Sequence, residues 1–436
     1  MWALFLGLGL LMVGNGLNGA VIGVRSGNEG FDVIVTGVIM AGYFAGFLLA
    51  PSLVVRMIPS VGHIRVFAGL ASTASSAVLV HSIAVEPISW ALMRFVFGFC
   101  MAGLYIVIES WLTEMSDVSN RGRTLAVYMI VSMGSLGVGQ YLIALADPNS
   151  FRLFVVSSVL VSMSLVPVVL VATTKAPVVE LPDPISIRSL FGFVPTGVIA
   201  SFMSGVGAGV VLGLGAVYAT AIGLSVQRTA LFLIAPSIGA LLFQWPIGRL
   251  SDRVSRRLVI LGVASAAAAI CCALLVLPAQ SPFAPLLMVG VGGTLYPLYS
   301  LIISFTLDWT PEGKIVGASG TLIRINGSGA LAGPLITAPI MSQFGAKWFF
   351  GVLVVAFSTV VLYTLWRVLV KEAMPVERQG EFLPFPARAT TMAIAIVRRP
   401  TPRSSKVFSG RPNVTGRDPH HPNRDPSSDE GTRSGR

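Results

Sequence analysis

Three ionisable side chains, Arg94, Glu109 and Arg324, lie inside long apolar runs of this 436-residue chain. A charge there is costly and usually faces a water-filled path, a partner or a ligand. Arg94, Gly98, Met101, Tyr105 and Glu109 follow one another at spacings of 4, 3, 4 and 4, which strings them along one helical stripe. The stripe is expected to face a central cavity. Arg94 and Glu109 stand about 22 Å apart along such an axis, too far to pair, so each needs its own partner. Two readings are open for each. Arg94 is an anion or proton-coupling site in the outer half of the cavity, or a structural donor to carbonyls of a neighbouring helix. Glu109 bridges to loop arginines such as Arg121 or Arg123, or is a carboxylate whose burial lets it carry a proton near neutral pH. Arg324, about nine residues into its run, needs an acidic partner or an anionic ligand.

Weaker polar signals accompany these. Asn15 and Asn18 are one turn apart on the first apolar run, and Tyr296 and Ser300 share one face of the tenth. Both pairs either line the cavity or bond between helices, the latter being also the reading of Asn326. The four histidines, His63, His81, His420 and His421, make no ligand pair within a helix, and the three cysteines, Cys100, Cys271 and Cys272, sit in apolar runs. No glycine loop ending in Lys-Ser or Lys-Thr is present, so ATP-driven pumping is not expected. No metal or other cofactor is implied, and no nucleophile elbow or paired histidines suggest an enzyme.

The elements that must position these residues are membrane-spanning helices. Hydrophobic residues make up 54% of the chain and charged residues 11%, far below the quarter or so of an average soluble domain. Runs of about 20 apolar residues, enough to cross a bilayer, recur from Met1 to about Val370. Twelve spans are expected, at 2–24, 33–55, 64–85, 88–110, 124–146, 151–172, 194–219, 229–248, 257–278, 283–305, 315–341 and 347–370. Of the net charge of +11, residues 367–436 carry 13 basic against 7 acidic groups, which leaves +5 for the rest and argues against a nucleic-acid partner. With both termini cytoplasmic, eleven Lys/Arg of the loops fall inside and only Arg25, Arg152, Arg228 and Lys347 outside. The tail, rich in Pro, Arg, Ser, Asp and Gly, is expected to be largely disordered.

The chain also repeats itself. Val61-Gly62-His63-Ile64-Arg65 precedes Val254-Ser255-Arg256-Arg257-Leu258 by 193 positions, and Gly134-Ser135 precedes Gly327-Ser328 by the same 193. Leu104-Tyr105 precedes Leu295-Tyr296 by 191. Matches at equivalent spans and nearly one offset predict two six-helix halves. The expected division is 1–172 and 194–370 as bundles, 173–193 as a cytoplasmic linker and 371–436 as a cytoplasmic tail.

Gly248-Arg249-Leu250-Ser251-Asp252-Arg253-Val254-Ser255-Arg256-Arg257 resembles the loop signature of the major facilitator superfamily, Gly-x-x-x-Asp-Arg-x-Gly-Arg-Arg, with Ser255 at the usual glycine. The first-half counterpart is degenerate, with Pro59 and Ser60 where Asp and Arg are usual. Arg94 to Gly98 resembles that superfamily's Arg-x-x-x-Gly motif, and the glycine-rich runs ending in Gly333-Pro334 its packing motif. Glu109-Ser110-Trp111, Asn120-Arg121-Gly122-Arg123, Gln244-Trp245-Pro246-Ile247-Gly248-Arg249 and Thr294-Leu295-Tyr296-Pro297 are similar to the YcaD-like branch, over roughly residues 1–370. Arg324 departs from the branch pattern, where an apolar residue is expected.

The resemblance implies an all-α membrane protein with two pseudo-symmetric six-helix bundles in a bacterial inner membrane. It implies secondary active transport of a small solute by alternating access, with import or export open. A receptor or other non-transporting membrane protein on the same scaffold is the alternative, though it would want a sizeable soluble domain. The lone guanidinium at Arg324 points to an anionic or zwitterionic cargo, and Glu109 to protons as a coupling partner; lipid is the solvent. Gly248, Asp252, Arg253, Arg256 and Arg257 are expected to form a cytoplasmic gate. In it Asp252 either latches onto helix-start amides or arginines of the facing half, or merely caps a helix while the arginines anchor the loop. Gly98, Gly134, Gly137, Gly139, Gly327, Gly329 and Gly333, with Pro334, are expected to serve helix packing and bending.

Overall fold

A backbone in hydrocarbon must satisfy its own N–H and C=O groups, which favours helices throughout. The computed structural model describes residues 1–116, 120–171, 185–278, 280–311 and 314–370, with Pro375, Gln379, Gly380 and Phe382. The side chains of Arg121, Val171 and Val316 lie outside the described set, as do 172–184, which hold most of the expected linker, and nearly all of the expected tail.

The described residues form twelve long helical spans. Spans 1 to 4 are Trp2–Asn28, Val33–Val61, His63–Ile83 and Pro87–Glu114. Span 5 is Arg121–Tyr141, continued by a 3-10 turn at Leu142–Leu145, and span 6 is Arg152–Met163 broken at Ser164 before Leu165–Val171. Spans 7 to 9 are Pro195–Ala221, Val226–Arg253 and Arg256–Val276, and spans 10 to 12 are Ala284–Trp309, Ile315–Phe344 and Trp348–Val370. Eleven of these are long and apolar enough to cross a membrane by length and composition. The remaining one, span 11, has 30 residues and carries Arg324. A short helix, Ile187–Phe193, precedes span 7, with the Ser186 hydroxyl accepting from the Ser189 amide at its start.

Several spans run beyond their expected ends. Span 8 reaches Arg253 and span 10 reaches Trp309, so Asp252 and Asp308, expected in loops, are residues of a last helical turn. The physical reason is that apolar length sets where lipid ends, whereas a helix goes on wherever its last turn finds partners.

The packing repeats with a step of six spans. Span 2 lies on span 4 as span 8 lies on span 10; span 1 lies on span 5 as span 7 lies on span 11; span 3 lies on span 6 as span 9 lies on span 12. The closest approaches repeat too. A Cβ at Gly98 would run into the Tyr43 carbonyl, and one at Gly46 into that of Phe95. In the second half a Cβ at Gly292 would run into the Pro236 carbonyl, and one at Gly239 into that of Val289. Tyr43 and Pro236, like Gly46 and Gly239, are 193 positions apart, matching the offset of the sequence repeat. These pairs make two pseudo-symmetric six-helix bundles, which meet where span 2 packs on span 11, span 5 on span 8 and span 1 on span 7.

Candidate functional site

The stripe on span 4 is deeply buried: Arg94, Gly98, Met101, Tyr105 and Glu109 are all shielded. Its first part packs on span 2, with the Arg94 guanidinium 4.8 Å from the centre of the Tyr43 ring, an approach a cation gains from because the ring face is electron-rich. Tyr43 also takes a long contact from the Asn15 amide, Nδ2 to the phenol oxygen at 3.5 Å. Lower on the stripe, Tyr105 donates its hydroxyl to Met12 Sδ at 2.6 Å, and its ring meets Phe47 edge-on at 5.9 Å between centres. Spans 1, 2 and 4 thus share one polar and aromatic seam inside the first half.

At the end of the stripe Glu109 is wholly buried, 0% exposed, and its carboxylate accepts the Tyr128 hydroxyl of span 5 at 2.5 Å. Met129, the residue after Tyr128, packs with Tyr296 of span 10 and Ala240 of span 8 in the other half. The acid therefore sits between spans 4 and 5, beside the contact that span 5 makes with the other half. Of the loop arginines expected beside it, the Arg121 side chain lies outside the described residues and Arg123 is exposed. Tyr128 was not singled out from the sequence; it is nineteen residues from Glu109, on a different span, and only the fold brings them together.

Asn18 is also 0% exposed, and among the described residues neither its Nδ2 nor its Oδ1 meets a hydrogen-bond partner. In the second half Ser300 accepts from Gln244 Nε2 of span 8 at 2.8 Å, which is an interhelical bond. Tyr296, one turn away, is buried with Met129 and Met133 of span 5 and Ala240 of span 8, so it sits on the seam between halves. Asn326 donates to the Ser201 carbonyl of span 7 at 3.0 Å, another interhelical bond.

Arg324 differs from all of these. It is exposed and, among the described residues, forms no ion pair. Gly329, Gly333 and Asn326 meet span 7 at one side of span 11, while Gly327 meets Leu48 of span 2. At 100° per residue Arg324 falls on the side turned away from span 7 and next to the face that meets span 2.

The remaining expected packing residues behave variously. Gly139 lies against the Val13 carbonyl, Gly329 against that of Phe202 and Gly333 against that of Val206, all contacts that leave no room for a side chain. Gly137 meets Ser237 across the halves, Gly134 has only ordinary contact with Leu241 at 3.8 Å, and the Pro334 carbonyl lies against Gly37 of span 2.

At the end of the bundle where spans 8, 9 and 10 meet, the gate motif forms a compact charge cluster. Arg256, 1% exposed, pairs with Asp308 and stands 3.7 Å from Asp252. Arg257 donates to the Arg367 carbonyl at 3.3 Å and lies over the rings of Phe305 and Trp309 at 6.0 and 5.7 Å. Arg253 is exposed. Asp252 accepts the Phe382 main-chain amide at 2.8 Å, and Gly248, one turn earlier, lies under the Phe382 ring. Neither Asp308 nor Phe382 is marked out by the sequence: the apolar runs put the first in a loop, and the second belongs to a tail whose composition carries no packing signal. Among the described residues, no three His, Cys, Asp or Glu side chains gather as a metal site would require.

Comparison with known proteins gives three findings. The family profile of the Major Facilitator Superfamily matches residues 197–412. The chain is 25% identical over 333 residues to an uncharacterized MFS-type transporter YcaD of Escherichia fergusonii, covering 76% of this chain and 86% of that protein. It is 27% identical over 335 residues to the corresponding YcaD of Escherichia coli O6:K15:H31, again covering 76% and 86%. In fold it is similar to crystal structures of the nucleoside transporter NupG. One, of a mutant form, has a TM-score of 0.70 at 12% identity, and the other a TM-score of 0.65 at 14%; each covers 84% of this chain and 98% of the other.

Proposed function

From the premise that this chain is a YcaD-like transporter of the major facilitator superfamily, we propose that it couples movement of a small anionic or zwitterionic solute to protons through Glu109. As a secondary transporter it makes and breaks no covalent bond; the work lies in exposing one site alternately to two sides. The observation that carries the coupling is the wholly buried Glu109 carboxylate, held by Tyr128 on span 5, whose next residue, Met129, packs against the opposite half. A carboxylate in such a place is costly as an anion unless donors surround it, and protonation removes the cost. The seam between the halves is where rocking changes the surroundings most, so the same acid gains and loses donors during the cycle.

Cargo is assigned to the other charge. Arg324, exposed and without an acidic partner among the described residues, offers a planar fork of donors suited to a carboxylate or phosphate group. Arg94, held over Tyr43, and Asn15 and Asn18 extend the polar seam toward the opposite end of the first half. In this reading residues 1–172 and 194–370 are the two rocking bodies, joined by the 173–193 linker. The termini and the Asp252 cluster face the cytoplasm of a bacterial inner membrane, where the concentration of arginines around 249–257 supports that orientation. Asp252 serves as the latch of the cytoplasmic gate.

The test is a solute screen in proteoliposomes with and without an imposed pH gradient. Gradient-driven accumulation of an anionic or zwitterionic solute that collapses with a protonophore is the expected result. Transport of a neutral or cationic solute alone, indifferent to the gradient, would overturn both assignments.

A further inference from the structure

The gate cluster has an occupant, and it comes from the chain itself. The Phe382 amide donates to the Asp252 carboxylate at 2.8 Å, and the Gly380 amide donates to the Asp308 carboxylate at 3.0 Å. The Arg256 guanidinium donates to the Gly380 carbonyl at 2.6 Å, and the Arg256 main-chain amide donates to Gln379 Oε1 at 3.3 Å. Four polar groups of the cluster are thus matched to main-chain and amide groups of a short peptide. The ring of Phe382 completes the fit by lying on Gly248, where any Cβ would strike it. Gly248 and Asp252 are one helical turn apart on one face of span 8, so the spacing of the motif itself creates a bare patch for a ring beside an acceptor for the amide of the same residue.

We propose that Gln379, Gly380 and Phe382 act as a strap that binds the gate cluster in competition with the opposite six-helix half, and so holds the cytoplasmic gate released. The inference rests on the latch reading of Asp252. The described partners of Asp252 are Phe382 and Arg256, both on its own side of the molecule. A carboxylate engaged by the strap is withdrawn from donors of the facing half, and a ligand that binds one state and not the other shifts the population toward the state it binds. Only eight positions separate Gln379 from Val370, the end of span 12, so the strap acts as a tethered ligand at high effective concentration and needs no outside partner. Recognition is through main-chain groups and one aromatic ring, which any peptide of similar shape could imitate.

Two measurements on the full chain in lipid nanodiscs decide the matter. The first asks whether the strap docks: the double variant Gly248→Cys, Phe382→Cys brings two thiols to disulfide distance, and mild oxidation should cross-link them in most molecules, reversibly with dithiothreitol. Failure to cross-link in protein that is monodisperse and helical would overturn the proposal. The second needs no substitution at Gly248 and reads the gate directly. Spin labels at Ser60→Cys and Lys314→Cys, both exposed and at the gate ends of spans 2 and 11, report the separation of the halves in a background lacking Cys272. Adding Phe382→Ala and Gly380→Pro, which remove the ring and one amide donor, should raise the closed-to-open ratio on the order of fivefold, the equivalent of one net hydrogen bond. An unchanged distance distribution would overturn the strap. Asp252→Asn placed on top of the strap-broken variant should reverse the shift. If the strap-broken variant closes the gate and Asp252→Asn does not reopen it, the latch reading fails while the strap stands.

Discussion

Tyr128 donates its hydroxyl to Glu109 at 2.5 Å across the contact between spans 4 and 5, and neither residue is reached by solvent. A donor that close stabilises the ionised acid; when it moves away, the acid is better off protonated. Glu109→Gln keeps the shape and can still accept from Tyr128, but it cannot take up a proton. Accumulation driven by a pH gradient should be lost while solute exchange across the same membrane persists. Tyr128→Phe removes the donor and should alter the pH dependence of transport without abolishing it. Parallel measurements of driven uptake and counterflow check this, and equal loss of both in Glu109→Gln would make the acid a structural residue.

The Arg256–Asp308 pair ties span 9 to span 10 with both side chains buried. Removing one partner of such a pair leaves an uncompensated charge, typically at a cost of about 3–5 kcal/mol. Asp308→Asn should therefore lower the thermal stability of the detergent-solubilised protein clearly more than Asp252→Asn, whose side chain is 43% exposed. Differential scanning fluorimetry of the two variants side by side gives the comparison.

The latch makes a separate claim about Asp252. If the carboxylate stabilises one gate state and touches no cargo, Asp252→Asn should slow transport while solute affinity in detergent stays within about twofold, a free-energy change well under 1 kcal/mol. Binding that weakens in step with transport would remove the latch and leave Asp252 as a helix-end residue.

Orientation is checked by labelling. Arg188→Cys in the segment before span 7 and Lys347→Cys between spans 11 and 12 are both exposed positions. In intact cells an impermeant thiol reagent should modify the second and spare the first. The opposite pattern would invert the assignment of the gate cluster to the cytoplasm.

How legible this molecule is in its sequence depends on the distance over which each feature is encoded. Spans are written locally in apolar runs, and all twelve were readable, as was the pairing of halves from an offset of 193 that recurs at Tyr43 with Pro236 and Gly46 with Gly239. The stripe from Arg94 to Glu109 was readable because helical period alone puts it on one face. Its partners were not: Tyr43, Met12 and Tyr128 belong to other spans, and nothing local couples them to it. Asp308 was misplaced by four residues of helix, enough to hide its pairing with Arg256. Phe382 was invisible in principle, since one aromatic in a polar tail docks through main-chain groups that every residue carries.

Arg324 carries the most specific claim about cargo. Its guanidinium lies part-way along span 11, exposed, next to the face that meets span 2 at Gly327 and Leu48, and no acidic residue pairs with it among the described residues. Asn326, two residues on, is committed to the Ser201 carbonyl of span 7, so the polar character of this stretch divides into a structural bond on one side and an uncommitted charge on the other. A structural arginine would be expected to hold carbonyls or a carboxylate, as Arg256 does. An uncommitted one gains its compensation from an incoming anion, and the strength of that contact depends on the two parallel donors of the fork. Arg324→Gln should thus remove binding of the anionic solute found in the screen, whereas Arg324→Lys should retain part of it as a point charge without bidentate geometry, with a loss on the order of tenfold, about 1.4 kcal/mol. Equilibrium binding to the three proteins, with helicity and melting measured alongside, separates the cases. If the Gln variant folds and binds with unchanged affinity, the guanidinium does not meet the cargo and the anionic class falls with it.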